Sequence, residues 1–256
     1  MQKITVLAAG ASGARFSNDL VAGLRTGSAT APDSVTLVAN TAADAWLHGL
    51  KVSPDLDLLM HTLGGAPTDG SRIVATDLAA YGVEPAWFTP ADHEVATQLV
   101  RTQMLEAGYP LSQVTEALCR RWLTPLYADR VRLLPVTDDR IETHVAIADA
   151  ASPSGQRAVH LQEYRARFVG HSPAAAVAVV GIEQAIPAPG VLEAISGADE
   201  VHVVPGDAFG VAGLLDVPGV TAALAGVRVT GVGTPADLAA VEARGITLAS
   251  TRPPTP

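Results

Sequence analysis

The chain has one cysteine, Cys119, two lysines, Lys3 and Lys51, and few aromatic residues, 4% of its 256 positions. Each scarcity excludes something. A lone thiol cannot form an internal disulfide or a cysteine-based zinc site, and it fits a reducing compartment, so the cytoplasm is expected. With lysine nearly absent, the Gly-Lys-Ser/Thr ending of a phosphate-loop NTPase motif does not occur. Cations as a whole are outnumbered, 17 Lys+Arg against 26 Asp+Glu, for a net charge of −9. A duplex-binding surface needs clustered cations, so nucleic acid drops out as a main partner. No uncharged run reaches the roughly 20 residues of a membrane helix, so no membrane partner is expected. The apolar residues 1–9 lack a basic leader and a small-residue cleavage site, and they read as a first strand.

What is present is apolar: 48% hydrophobic against 17% charged residues. That composition supports a sizeable core and argues against disorder. Residues 3–8 are rich in β-branched side chains, a small-residue turn follows, and residues 14–24 carry helical spacing. The continuous apolar run 35–39 suits a strand covered on both faces, so the chain opens as a βαβ unit. Residues 40–65 mix polar, Gly and Pro residues with short apolar clusters, and long irregular connections of this kind carry function. A helix is predicted over 89–107, with Thr89 and Asp92 as a capping box and Pro90 at its first position. A second follows over 112–122, and together they make a helical insert at about 72–125. Strands are predicted at 131–135, 143–147, 157–161, 174–180, 201–204 and 227–231. The later ones alternate with helices near 190–195, 210–215 and 235–243. The expectation is a single α/β domain over 1–256, Rossmann-like and doubly wound on a mostly parallel sheet. The Pro/Thr tail, 251–256, is expected to fray.

The first turn reads Ala8-x-Gly10-x-x-Gly13 between a strand and a helix, a dinucleotide fingerprint whose first glycine is replaced. Glycines there either let backbone N–H groups approach a phosphate or simply supply a tight turn, and both readings stand. The second strand ends at Asn40, where a nicotinamide enzyme needs an acidic ribose ligand, so a phosphate site without NAD is the sharper form. Asp44, Asp55 and Asp57 are hard ligands of the kind magnesium takes together with substrate phosphates. Asp55 and Asp57 equally suit a helix cap and a first-turn charge. Thr62-Leu63-Gly64-Gly65 reads as a backbone approach to ligand or a helix terminator. On the capped helix Glu94, Thr97, Gln98 and Arg101 form a polar strip opposite Val95, Leu99 and Val100; such strips are usually solvated, while Arg101-Thr102 could hold an anion. Asp138, Asp139, Arg140, Glu142 and His144 crowd the start of a strand. His48 and His61 read first as core or solvated histidines, and Cys119 as an inert core thiol.

Taken in order, these segments resemble the 2-phospho-lactate transferase family of coenzyme F420 biosynthesis. The resemblance is carried by ITVLAAGASGARF, NTAADAWLHGLKVSPDLD with HTLGG, ATQLVRTQMLEAGYPLSQVTEALCRRW, VRLLPVTDDRIETHV and AVHLQEY. It implies a cytoplasmic homodimeric transferase using magnesium. Its reaction would move a lactyl-phosphate or enolpyruvyl-phosphate group from a guanosine diphosphate-linked donor to the deazaflavin Fo, releasing GMP. By the same resemblance Asp44, Asp55, Arg140 and His144 would be catalytic, with Asp44 and Asp55 on the metal. Gly10, Gly13, Arg15, Asn40, Thr62, Gly64, Arg101, Asp138 and Glu142 would bind substrate. The family pattern has paired aspartates where this chain has Ala43-Asp44. It has Pro-Ser-Asn-Pro where this chain has Pro205-Gly206-Asp207-Ala208, and it continues past residue 256. A non-catalytic paralog that binds a deazaflavin or nucleotide, or regulates a full-length transferase, is the competing expectation.

Overall fold

A computed structural model describes residues 2–28, 31–67, 69–123 and 130–254. Strand β1 (Lys3–Ala8) runs directly into α1 (Gly10–Thr26), and β2 (Ser34–Ala39) returns parallel to β1, from Lys3 beside Ser34 to Ala8 beside Ala39. The predicted βαβ opening is therefore present. The segment read as a long functional loop next makes a hairpin, β3 (Ala45–Leu47) and β4 (Leu50–Val52). Its turn is His48-Gly49, both at positive φ, as a two-residue turn with the twist of a hairpin requires. Pro54 then opens α2 (Pro54–Gly64), and Gly65, at φ 70°, ends it.

Helices α3 (Ile73–Ala80), α4 (Asp92–Glu106) and α5 (Leu111–Trp122) follow, and β5 (Val131–Pro135) joins the sheet beside β2. The predicted Thr89 cap is not used. Helix α4 starts at Asp92, and Glu94 reaches back to the Ala91 amide at 2.6 Å. Asp92 instead accepts the Val74 N–H at 3.1 Å, which ties α4 to α3. The polar strip of α4 also turns the other way. Thr97, Gln98, Arg101 and Thr102 are buried, while Leu99 and Val100 are 46% and 43% exposed. Partners decide this: Arg101 meets Asp57, Thr102 takes the Lys51 N–H at 2.8 Å, and Thr97 meets His61.

Strands β6 (Glu142–Ala148), β7 (Gln156–His160) and, after α6 (Leu161–Arg167), β8 (Ala176–Val180) leave the parallel sheet. They form an antiparallel sheet of their own, in the order β7-β6-β8. Strand β6 alternates buried and half-buried residues, as a sheet with one packed face does. The expectation that 174–180 continues the parallel alternation is thus corrected. The chain then completes the main sheet through α7 (Val191–Ser196), β9 (Glu200–Val204), α8 (Ala208–Leu215), α9 (Val220–Ala223), β10 (Val229–Val232), α10 (Pro235–Glu242) and β11 (Ser250–Arg252). Part of the tail expected to fray is therefore a strand, paired from Thr230 beside Ser250 to Val232 beside Arg252. Residues 255–256 lie outside the described residues.

The main sheet has the order β11-β10-β9-β1-β2-β5, and every pairing is parallel. Counting only these six strands, the order is that of a Rossmann-like doubly wound sheet, with the winding reversing between β1 and β9. Both faces are covered. Ile4, Val6 and Ala8 pack toward α1, α2 and α5, while Leu7 and Ala9 pack toward α7 and α8. Each fully buried Val or Leu of this kind stabilises by about 1.5–3 kcal/mol. No helix among the described residues is long and apolar enough to cross a membrane.

Candidate functional site

In a doubly wound sheet the loops after the two strands at the reversal diverge and leave a crevice at their carboxyl ends. Here those loops are Ala9-Gly10, after β1, and Pro205-Gly206-Asp207, after β9. They touch through backbone. A Cβ on Gly206, whose φ is 76°, would lie 2.5 Å from the Ala9 carbonyl oxygen, and Gly10, at φ 63°, faces the Gly206 Cα. Gly13 has a different role: its Cβ would press on Ala8 at 3.1 Å, so this glycine lets α1 lie close against β1.

Asp55 stands at this crevice. Its Oδ1 accepts the Gly10 N–H at 3.0 Å, and its Oδ2 accepts Asn40 Nδ2 at 2.7 Å. Asn40 Oδ1 in turn accepts the Ala42 N–H at 2.9 Å, and α8 lies against it through Gly213. Burial pushes the Asp55 carboxyl above its ordinary range, while the Asn40 bond and the Arg165 charge pull it back. The fingerprint turn is therefore held by a carboxylate of the chain itself.

Asp44 and Asp57 are held away from solvent. The β3–β4 hairpin returns Lys51 to Asp44, with Nζ 3.1 Å from Oδ2, and the Ser53 hydroxyl donates to the same oxygen at 2.7 Å. Asp44 is 1% exposed, its Oδ1 has no hydrogen-bond partner, and burial pushes its pKa to about 6 against the pull of Lys51. Asp57 forms a two-pronged ion pair with Arg101, whose Nη1 also donates to the Lys51 carbonyl at 3.5 Å. The anion on Arg101 is therefore Asp57, and the guanidinium is 1% exposed.

The remaining predicted residues fall in several places. Thr62 and Gly64 belong to the far end of α2, where Gly64 lets the helix meet Trp122 and Gly65 terminates it. The terminator reading of that segment describes its structure, and at 1.5 Å per residue Thr62 sits about 10 Å along the helix from Asp55. Asp138 accepts the Ser112 N–H at 2.6 Å and its hydroxyl at 2.8 Å, which satisfies the first turn of α5. Arg140 is exposed and pairs with Glu142 at 2.8 Å. His144 lies beside His160 across β6 and β7, with ring centroids 5.6 Å apart, and its Nδ1 is buried without a partner. Arg15 is on the exposed side of the first turns of α1. His61 is a core histidine, wedged against Trp122 with centroids 4.5 Å apart and pushed down to about 4 by burial. The Cys119 thiol, also buried, is pushed up to about 12.

Sequence reasoning missed three participants, Lys51, His160 and Arg165, and marked a fourth, Asp207, only as a departure from the family pattern. Lys51 pairs with Asp44, and His160 Nε2 lies 2.9 Å from the Asp44 carbonyl. Arg165 on α6 donates to Asp207 at 2.7 Å, and Asp207 also caps α8 through the Gly210 N–H at 2.9 Å. Only the cap carried a local signal, an Asp three residues before an amide in the first turn of a helix. The others are contacts between distant segments.

Magnesium finds no prepared cage. Among the described residues no three His, Cys, Asp or Glu groups come together as a metal cluster. Asp44 already faces a lysine, both Asp55 oxygens accept N–H bonds, and position 43 is an alanine buried against Val145, Ile147 and Tyr164.

Fold and crevice together define a doubly wound α/β protein whose switch point is closed by backbone, an amide side chain and carboxylates. The family model described as 2-phospho-L-lactate transferase CofD matches residues 4–235. A phosphoenolpyruvate transferase of Thermobifida fusca is 44% identical over 241 residues, covering 90% of this chain and 72% of that protein. That of Streptomyces coelicolor is 48% identical over 242 residues, with 90% and 71% covered. That of Mycolicibacterium smegmatis is 43% identical over 256 residues, with 95% and 76% covered. The chain belongs to the 2-phospho-L-lactate transferase CofD family, and it is a transferase of coenzyme F420 biosynthesis.

Proposed function

We propose that the chain transfers an enolpyruvyl-phosphate or lactyl-phosphate group from a guanosine diphosphate-linked donor to the hydroxyl of Fo, with release of GMP. The observation that carries the reading is the family match across residues 4–235, which includes every residue of the switch-point crevice. In the reaction the acceptor oxygen bonds to the donor phosphorus as the bond to the GMP oxygen breaks, and the acceptor hydroxyl loses its proton. Such transfers ask for positioning and charge stabilisation more than for covalent work by the protein. The chain's own contribution is rigidity. Asp55 and Asn40 fix the Gly10 turn, and the Gly206 turn packs on it directly. Backbone N–H groups at such turns suit a phosphate that little lysine is available to hold.

Magnesium belongs to this reading as a companion of the donor diphosphate, whose charge it would neutralise. Magnesium commonly keeps several waters and binds through substrate phosphates with one or two carboxylates. The residues present do not assemble its site in advance, so no step is routed through it. A homodimer and a cytoplasmic location belong to the same reading, and sedimentation of the purified chain tests the first. The transfer itself is tested by incubating the chain with Fo, each donor and magnesium and measuring GMP. Turnover with one donor is the expected result; no GMP, under conditions where a phosphoenolpyruvate transferase relative turns over, overturns the reading.

A further inference from the structure

Asp207 and Arg165 come from different sheets of the molecule. Asp207 follows β9 at the reversal of the main sheet, whereas Arg165 rides on α6 of the antiparallel sheet. They meet at the crevice, Nη2 to Oδ2 at 2.7 Å, with the Arg165 and Asp207 side chains 28% and 41% exposed. Both act electrostatically on Asp55, Arg165 lowering its pKa and Asp207 raising it. Gly206, the residue before Asp207, packs on Ala9 and Gly10, so the pair borders the Gly10 turn. Lys51 and Arg101 are buried in ion pairs of their own, but Arg165 is partly open to solvent and its counter-ion is an open carboxylate.

We propose that Asp207 and Arg165 set the strength of anion binding in the crevice, with Asp207 an internal carboxylate that competes with an incoming phosphate for Arg165. The physical basis is exchange. A guanidinium accepts carboxylate or phosphate through the same fork of N–H donors, and a phosphate brings more charge to it. A bound phosphate beside an ionised Asp207 meets like-charge repulsion, so affinity is paid for by moving that carboxylate away. Asp207 thereby sets a threshold that an anion engaging Arg165 strongly, such as a diphosphate, overcomes and a weakly held, singly charged carboxylate does not. The identification of the diphosphate with that of a guanosine-linked donor rests on the function proposed above; the competition itself does not.

The test uses calorimetric titration of the full chain with pyrophosphate, GDP and acetate. The variants are Asp207→Ser, Asp207→Asn, Arg165→Met and the Asp207→Ser/Arg165→Met double change. Ser and Asn both keep an acceptor for the Gly210 N–H, so the start of α8 stays capped and thermal melts report whether the fold is kept. Expected is about tenfold tighter pyrophosphate binding on losing the Asp207 carboxylate, weaker binding in Arg165→Met, and no gain in the double variant. Acetate affinity should rise as well in Asp207→Ser, because the internal competitor for Arg165 is gone. Pyrophosphate affinity within twofold of wild type in both Asp207 variants overturns the proposal, as does absence of pyrophosphate binding to every variant. If pyrophosphate follows the expected order but GDP binds no better than pyrophosphate, the pair stands and the guanosine-donor reading falls. If GDP binds tightly and is indifferent to all four variants, the donor reading stands and the pair falls.

Discussion

Asp55 accepts the Gly10 N–H at 3.0 Å and so caps the helix that opens the fold with a side chain 45 residues away. Ala9, the residue before α1, has no side chain that could do this. Asp55 thus joins the first turn of α1 to the first turn of α2, with Asn40 on its other oxygen. Replacing it with Asn presents an N–H group to one of two N–H donors. Asp55→Asn is expected to lose about 1–3 kcal/mol of stability, read from urea unfolding. GMP release in the proposed assay should fall about 100-fold, because the turn loses its fixed position. Unchanged stability would mean that the two hydrogen bonds are not made in solution.

The Arg101–Asp57 pair offers a sharper energetic test. Removing one partner strands a charge where almost no water reaches, so Arg101→Met and Asp57→Leu should each cost about 3–5 kcal/mol. The double substitution removes both charges and should recover much of that loss. A double-mutant cycle by denaturant unfolding measures the coupling, and strictly additive losses would contradict it.

Two buried groups act on stability in opposite directions as the pH falls. Asp44 titrates at about 6 in the folded chain, above its ordinary 3.8, so the folded state holds its proton more tightly. Its influence therefore lowers stability as pH rises through about 4 to 6. His61 titrates at about 4 against 6.5, so the folded state prefers it neutral and stability is lost as pH falls through that window. Melting curves between pH 4 and 7 should show Asp44→Asn steepening acid destabilisation and His61→Phe flattening it. The reverse order of slopes would contradict both assignments.

Glycine substitutions separate close approach from backbone conformation. Gly206→Ala must accept a left-handed φ of 76° and place a Cβ 2.5 Å from the Ala9 oxygen. Gly27→Ala meets only the conformational penalty, since nothing lies within 4 Å of its Cβ. Gly27→Ala should cost about 1 kcal/mol and Gly206→Ala well over 2 kcal/mol. Equal losses in thermal unfolding would show that the two switch-point loops are not in contact.

Local pattern was enough for the elements that form from their own residues. The apolar runs of β1 and β2, the glycine turn between them and the alternation from β9 to α10 all appear in the sequence as strand, turn and helix, because such runs suit a parallel sheet covered on both faces. The antiparallel trio was less legible. A strand reads the same in either sheet until its partner is known, and Val145 finds Val159 and Val177 rather than a parallel neighbour. Helix α4 shows the limit of periodicity. Its polar strip was visible, but which side faces inward depends on Asp57, Lys51 and His61, none of which lies on that helix.

The same division holds for the site. Gly10, Gly13, Asn40, Asp44 and Asp55 are conspicuous in the sequence, as glycines beside a strand end and polar groups in the connection after the second strand, but that pattern suits a structural use as well as a ligand site. The sequence by itself determined the family and the doubly wound class, since both rest on contiguous stretches of chain. Tertiary structure alone decided what each charge faces. Asp44 and Asp57 are neutralised by Lys51 and Arg101, Asp55 holds the Gly10 turn, and Arg165 meets Asp207. Burial makes an unpaired charge too costly to keep, and the partners that relieve it come from segments far apart in the chain.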